Sequence, residues 1–139
     1  MQESESLFNW PITVYYEDTD ASGLVFHSNY INFIERARTE LLRARGYSQQ
    51  TLLEQNIAFT VRHIDIDYLK PAHLDDQLVV RTNIAQLKKA SIIFCQEIVN
   101  PENITLCKAM VKVACISTET MKPLAIPHQI VQEIANRAV

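Results

Sequence analysis

The chain has 139 residues, of which 47% are hydrophobic and 21% charged, and its formal net charge is −3. That length fits a single compact domain over residues 1–139, able to bury roughly 68–70% of the surface its unfolded chain exposes. Mild acidity and the absence of a basic block argue against nucleic acid as a partner, and no apolar run reaches the ~18 residues of a membrane span.

Residues 1–6 are acidic and polar and lack the basic start and apolar run of a signal peptide, so a cytoplasmic location is expected. Residues 14–30 run from a strand, through an acidic turn, into a helix whose first turn carries His27, Ser28 and Asn29. Gly23 lies in that turn. Residues 29–45 are expected to form one long helix with Ser28 as N-cap. Tyr30, Phe33, Ile34, Ala37, Leu41 and Leu42 recur there at helical spacing. Gly46 supplies the left-handed residue that stops the helix. Ser48 is expected to cap a short second helix ending near Gln55.

Strand patterns follow. Residues 57–69 alternate around Phe59, Val61, Ile64 and Ile66, with a break in phase near His63. Residues 77–87 and 92–99 are two further strands, joined by a short link through Lys88, Lys89 and Ser91. A turn at 100–103 precedes a long strand, 104–117. In it Cys107, Ala109, Val111, Val113 and Cys115 share one face, the face expected to pack on the helix. Pro127 opens a C-terminal helix. Cys95, Cys107 and Cys115 lack CxxC spacing and fall in apolar strands, so three buried, reduced thiols are expected. A strand, a long helix and four more strands argue for α+β with an antiparallel sheet. One helix covers a sheet face only partly, and the remaining face and edge invite a partner.

The acidic turn carries the chemistry. Asp20 stands past the first strand and seven residues before His27. A carboxylate near a helix start faces free N–H donors, which can hold a carbonyl oxygen while the carboxylate attacks or activates water. The ordinary alternative is an Asp that satisfies turn N–H groups. Asp18 is expected to orient the turn or to pair with a base such as Arg38. Asp18 and Asp20 lack further oxygen ligands at a recognisable spacing, so no metal is expected. No Gly-x-Ser-x-Gly elbow, phosphate loop or dinucleotide fingerprint is present, and no cofactor is expected. Arg62 and His63 form a small basic spot, and Lys88, Lys89 and Ser91 another. Both are either solvated turns or contacts for phosphates.

The run Tyr16-x-Asp18-Thr19-Asp20-x-x-Gly23-x-Val25-x-His27-x-Asn29-Tyr30 resembles the signature of hotdog-fold acyl-CoA thioesterases of the 4-hydroxybenzoyl-CoA thioesterase type. Phe8 to Pro11, Glu35 to Glu40, Tyr68 to Ala72, Leu74 to Asp76 and Met121 to Pro123 extend the likeness over nearly the whole chain, within the bacterial Tol-Pal-associated branch. The resemblance implies a five-stranded antiparallel sheet wrapped around one long central helix, assembled as a homodimer or homotetramer. It implies hydrolysis of acyl-CoA, with Asp20 as nucleophile or general base and the N–H of His27 polarising the thioester carbonyl. Asn29, Tyr30, Arg62, Lys88, Lys89 and Ser91 are the expected substrate-binding residues. Acyl carrier protein as a second carrier and a peripheral association with the inner membrane belong to the same expectation. Two alternatives stand beside it: an enoyl-thioester hydratase of the same fold, whose acid–base pair has a different spacing, and a binding module that holds acyl-CoA or acyl carrier protein without turnover.

Overall fold

The computed structural model describes residues 8–138, so the acidic stretch 1–6 lies outside the described residues. Five strands form one antiparallel sheet: β1 (Phe8–Thr13), β2 (Ile57–Tyr68), β3 (Gln77–Leu87), β4 (Ser91–Val99) and β5 (Thr105–Ser117), in spatial order β1-β3-β4-β5-β2. The long helix α1 (His27–Ala44) lies against the inner face of the sheet, α2 (Gln49–Glu54) follows it, and α3 (His128–Ala138) closes the fold. The expected α+β architecture is therefore present. Among the described residues, no helix is long and apolar enough to cross a membrane.

Period-2 alternation sets the two sheet faces. Val80, Phe94, Ile98, Val111 and Cys115 point inward and are buried, and they meet Phe33, Ile34, Ala37 and Leu41 of α1 in one core. Pro11 sits on β1, an edge strand, where a missing N–H costs no ladder bond. β2 is the other edge. Its break in phase is a bulge between Val61 and His63, which leaves Arg62 without a partner in β5.

The helix ends follow local chemistry. Gly46 has φ +92, Tyr47 N–H donates to Leu42 O at 2.9 Å and Gly46 N–H to Arg43 O at 3.0 Å. This pair of bonds is the Schellman closure that glycine permits. Ser48 caps α2, its hydroxyl accepting from Thr51 N–H at 3.0 Å. The start of α1 differs from expectation. The helix begins at His27 with Phe26 as N-cap, and no side chain caps it. Ser28 therefore lies inside the first turn. The chain is drawn into the helix early because Phe26 N–H donates to Asp18 O at 3.0 Å.

A polar cluster is buried under the sheet. Gln96 Nε2 donates to Ile34 O and to Thr82 Oγ1, each at 3.0 Å, and Arg38 Nη1 donates to Gln96 Oε1 at 3.1 Å. The expected Asp18–Arg38 pair does not form. Asp18 bonds at the first turn of α1, whereas Arg38 comes about 13 Å further along the axis at 1.5 Å per residue. Burial lowers the Arg38 guanidinium pKa, opposed by the Glu35 carboxylate. The thiols also depart from expectation: Cys107 and Cys115 are buried, but Cys95 is exposed. β4 turns Phe94 and Gln96 inward, which leaves Cys95 on the outer face opposite Asn83 and Met110.

Candidate active site

After β1 the chain makes one 3-10 turn, Tyr16–Asp18, and reverses through residues 20–24 before entering α1. Asp18 is 3% exposed and acts as the hub of this turn. Its Oδ2 accepts from Tyr15 N–H at 2.9 Å and its Oδ1 from Asn29 Nδ2 at 3.0 Å. The first turn of α1 is thereby tied to the acidic turn. Asp18 is thus a structural carboxylate, committed on both oxygens.

Asp20 is placed differently. It is exposed, and only Oδ1 is engaged: by Ser22 Oγ at 2.5 Å, Ser22 N–H at 2.9 Å and Leu24 N–H at 3.4 Å. The Ser22 hydroxyl first, and then the Ser22 N–H, hold the Asp20 carboxyl below its usual pKa of 3.8. Asp20 is therefore ionised at neutral pH, with Oδ2 outside these bonds. Gly23, at φ +83, makes the reversal possible, with its N–H on Asp20 O at 3.1 Å.

The loop 71–76, between β2 and β3, braces this turn. Val25 N–H donates to Ala72 O at 2.9 Å, Leu74 N–H to Gly23 O at 3.0 Å, and Leu24 bridges His73. From the helix side, the Tyr30 hydroxyl accepts from the buried Ala72 N–H at 3.0 Å. Turn, loop and helix start are one bonded unit. Asp75 takes φ +72 within the loop, and Asp76 Oδ2 accepts from His73 N–H at 2.8 Å.

The helix start has no acidic residue in its first turn and no side-chain cap, so its donors and partial positive charge face outward. His27 is exposed there, its ring 4.4 Å from that of Phe26 and 6.3 Å from Tyr68. Tyr30 is buried, with Tyr68 5.5 Å away. Burial raises the pKa of both tyrosines, against the Ala72 bond in the case of Tyr30. A cleft of about 240 Å³ opens between His27, Tyr30, Tyr68 and Pro71. A carbonyl oxygen seated at the helix start would meet backbone donors, in a position to be polarised.

Four of the expected site residues, Asp20, His27, Asn29 and Tyr30, are thus gathered around one turn. Arg62 and Ser91 lie elsewhere, lining a pocket of about 370 Å³ with His63 and Lys112. Lys88 and Lys89 are exposed on the β3–β4 hairpin, outside that lining. Sequence reasoning missed Ser22, Tyr68, Lys112 and the 71–76 loop. Lys112 had a signal in the alternation of β5; the others depend on contacts between distant segments. Among the described residues, no three His, Cys, Asp or Glu side chains group to hold a metal ion.

Comparison with known proteins places this arrangement in context. Residues 22–107 match the family model of the thioesterase superfamily. The chain is 49% identical over 128 residues to the acyl-CoA thioester hydrolase YbgC of Escherichia coli, covering 92% of this chain and 96% of that protein. It is 49% identical over 124 residues to the acyl-CoA thioesterase YbgC of Haemophilus influenzae, covering 88% and 90% respectively. Its fold superimposes with a TM-score of 0.87 on the crystal structure of a 1,4-dihydroxy-2-naphthoyl-CoA thioesterase from Synechocystis, at 26% identity over 93% of this chain and 96% of that one.

Proposed function

The chain belongs to the thioesterase superfamily and has the hotdog fold, and from that premise we propose that it hydrolyses the thioester of acyl-CoA to a free acid and CoA, with Asp20 as nucleophile or general base. The observation that carries this reading is the exposed Asp20 carboxylate on a turn bonded to the uncapped start of α1. The relatives named acyl-CoA thioester hydrolases, at 49% identity over nearly their whole length, support the substrate class.

In this reading the carbonyl oxygen lies at the helix start, where the His27 N–H donates to it. As nucleophile, Asp20 Oδ2 bonds to the carbonyl carbon, and the C–S pair leaves on sulfur as CoA thiolate. Water then cleaves the mixed anhydride and restores the carboxylate. As general base, Asp20 takes a proton from water while that water attacks. A donor that strengthens on the developing oxyanion lowers the barrier by roughly 2.7–4 kcal/mol, and a general base adds about 10²–10⁴-fold. Asn29, through Asp18, and Tyr30, through Ala72, hold the geometry.

Homo-oligomeric assembly belongs to the same proposal, supported by the open edge of β2. The resemblance to the Tol-Pal-associated branch supports a cytoplasmic enzyme at the inner membrane. Thiol release from a panel of acyl-CoAs tests the activity. Turnover of at least one member is expected. Binding of acyl-CoA without thiol release would support a binding module, and hydration of an enoyl-CoA without thiol release a hydratase.

A further inference from the structure

Tyr30 and Tyr68 meet edge to face at 5.5 Å beside the start of α1, and their hydroxyls are used differently. Tyr30 is 4% exposed, and its oxygen accepts from Ala72 N–H at 3.0 Å. Tyr68 is 45% exposed, and its hydroxyl has no hydrogen-bond partner among the described residues. The side chain is nevertheless held in place. Tyr68 is the last residue of β2 and faces inward: Ile64 and Ile66, on the same side of the strand, pack on the core, and its cross-strand partner Cys107 is fully buried. The chain just beyond it is pinned, with Leu69 N–H and Lys70 N–H both donating to Leu106 O, at 2.9 and 3.0 Å. Its ring lies against Tyr30 and meets the His27 ring at 6.3 Å and 83°. Neither contact gives the oxygen a partner. A fixed phenol with a spare donor thus lines the cleft of about 240 Å³ at the helix start.

Resting on the acyl-CoA reading, we propose that Tyr68 is a further catalytic residue, whose hydroxyl donates to the thioester carbonyl oxygen as a second oxyanion donor beside the His27 N–H. When Asp20 Oδ2, or the water it activates, bonds to the carbonyl carbon, the C=O π pair moves onto oxygen and both donors strengthen on it. The pair then returns to carbon, the C–S bond breaks and its electrons leave on the CoA sulfur. Tyr68 keeps its proton throughout. Its acidity favours this role over that of an acid for the leaving group. Burial raises the Tyr68 phenol above its usual 10.0, whereas an ordinary thiol ionises at about 8.5, so protonating the departing thiolate from Tyr68 runs uphill. Tyr30 does not compete for the carbonyl, because it is buried and bonded to the 71–76 loop.

Tyr68→Phe in the full chain tests this, because it keeps both ring contacts and removes no hydrogen bond within the described protein. The urea unfolding midpoint should not move. For acyl-CoA, kcat should fall about 100-fold or more, the lower end for one lost oxyanion donor, with KM changed by less than about twofold. A nitrothiophenyl thioester of the same acyl group, whose thiolate needs no acid to leave, should lose kcat by the same factor. A loss confined to acyl-CoA would make Tyr68 an acid for the leaving sulfur and overturn the proposal. A raised KM at unchanged kcat would make it a contact of equal strength in ground and transition states, and would overturn the proposal too, as would full activity. Failure of the wild type to release thiol from either thioester would instead remove the acyl-CoA reading on which the proposal rests.

Discussion

Asn29 Nδ2 donates to Asp18 Oδ1 at 3.0 Å, joining the first turn of α1 to the buried hub of the acidic turn. The bond fixes where Asp20 stands relative to the helix start. Asn29→Ala should leave a buried carboxylate oxygen short of a donor, at about 1–3 kcal/mol of stability, and should lower kcat more than it raises KM. Urea unfolding and steady-state kinetics on the same preparation check this. An unchanged unfolding midpoint with unchanged kcat would show that the bond positions nothing.

The Tyr30 hydroxyl does the same service from the other side, accepting from an Ala72 N–H that is 0% exposed. Tyr30→Phe keeps the ring against Phe33 and Tyr68 and removes only the acceptor. The orphaned N–H should cost about 1–3 kcal/mol, and the 71–76 loop should hold the Asp20 turn less firmly. Thermal unfolding together with kcat reads both effects. A variant as stable and as active as the wild type would remove Tyr30 from the brace.

Much of this was legible in the sequence because it is local. The apolar stripe of α1, the stop at Gly46, the cap at Ser48 and the bounds of β3 at Gln77 and Leu87 all follow from spacing and turn chemistry. The phase break near His63 is likewise written in the alternation. What could not be read is pairing across distance. Tyr30 meets Ala72 across 42 residues, and Gln96 meets Ile34 across 62. Arg38 therefore spends its charge on Gln96, not on Asp18. Cys95 was misplaced because β4 is apolar on both of its faces around Ile92 and Ile93, so composition alone does not say which face Cys95 takes.

Thiol reactivity separates the two classes of cysteine. Cys107 is buried, and burial pushes its pKa up to about 12. Burial also raises that of Cys115. The thiolate is the reactive form, so these two should label slowly until the protein unfolds, whereas exposed Cys95 should label first. A chromogenic disulfide reagent at pH 8 should find one fast thiol per chain. Protection of Cys95 in the native protein would mean that another surface covers the outer sheet face.

Ser22 sets the acid limb. Its hydroxyl and N–H favour the ionised Asp20, so the carboxyl pKa lies below 3.8. A base works only when deprotonated, so activity is lost as pH falls through that pKa. Ser22→Ala removes the largest lowering contribution and should move the acid limb of kcat/KM to higher pH, with the neutral plateau still flat. A limb that stays put, or moves down, would mean that another group controls it.

The most direct measurement is the turnover of Asp20→Asn. The substitution keeps size and shape and removes the charge from an exposed side chain, so the fold and acyl-CoA binding should survive. Thiol release should fall at least about 100-fold, the lower limit for losing a general base. A purified, folded Asp20→Asn protein that keeps more than about a tenth of wild-type kcat would contradict the assignment of the chemistry to this carboxylate.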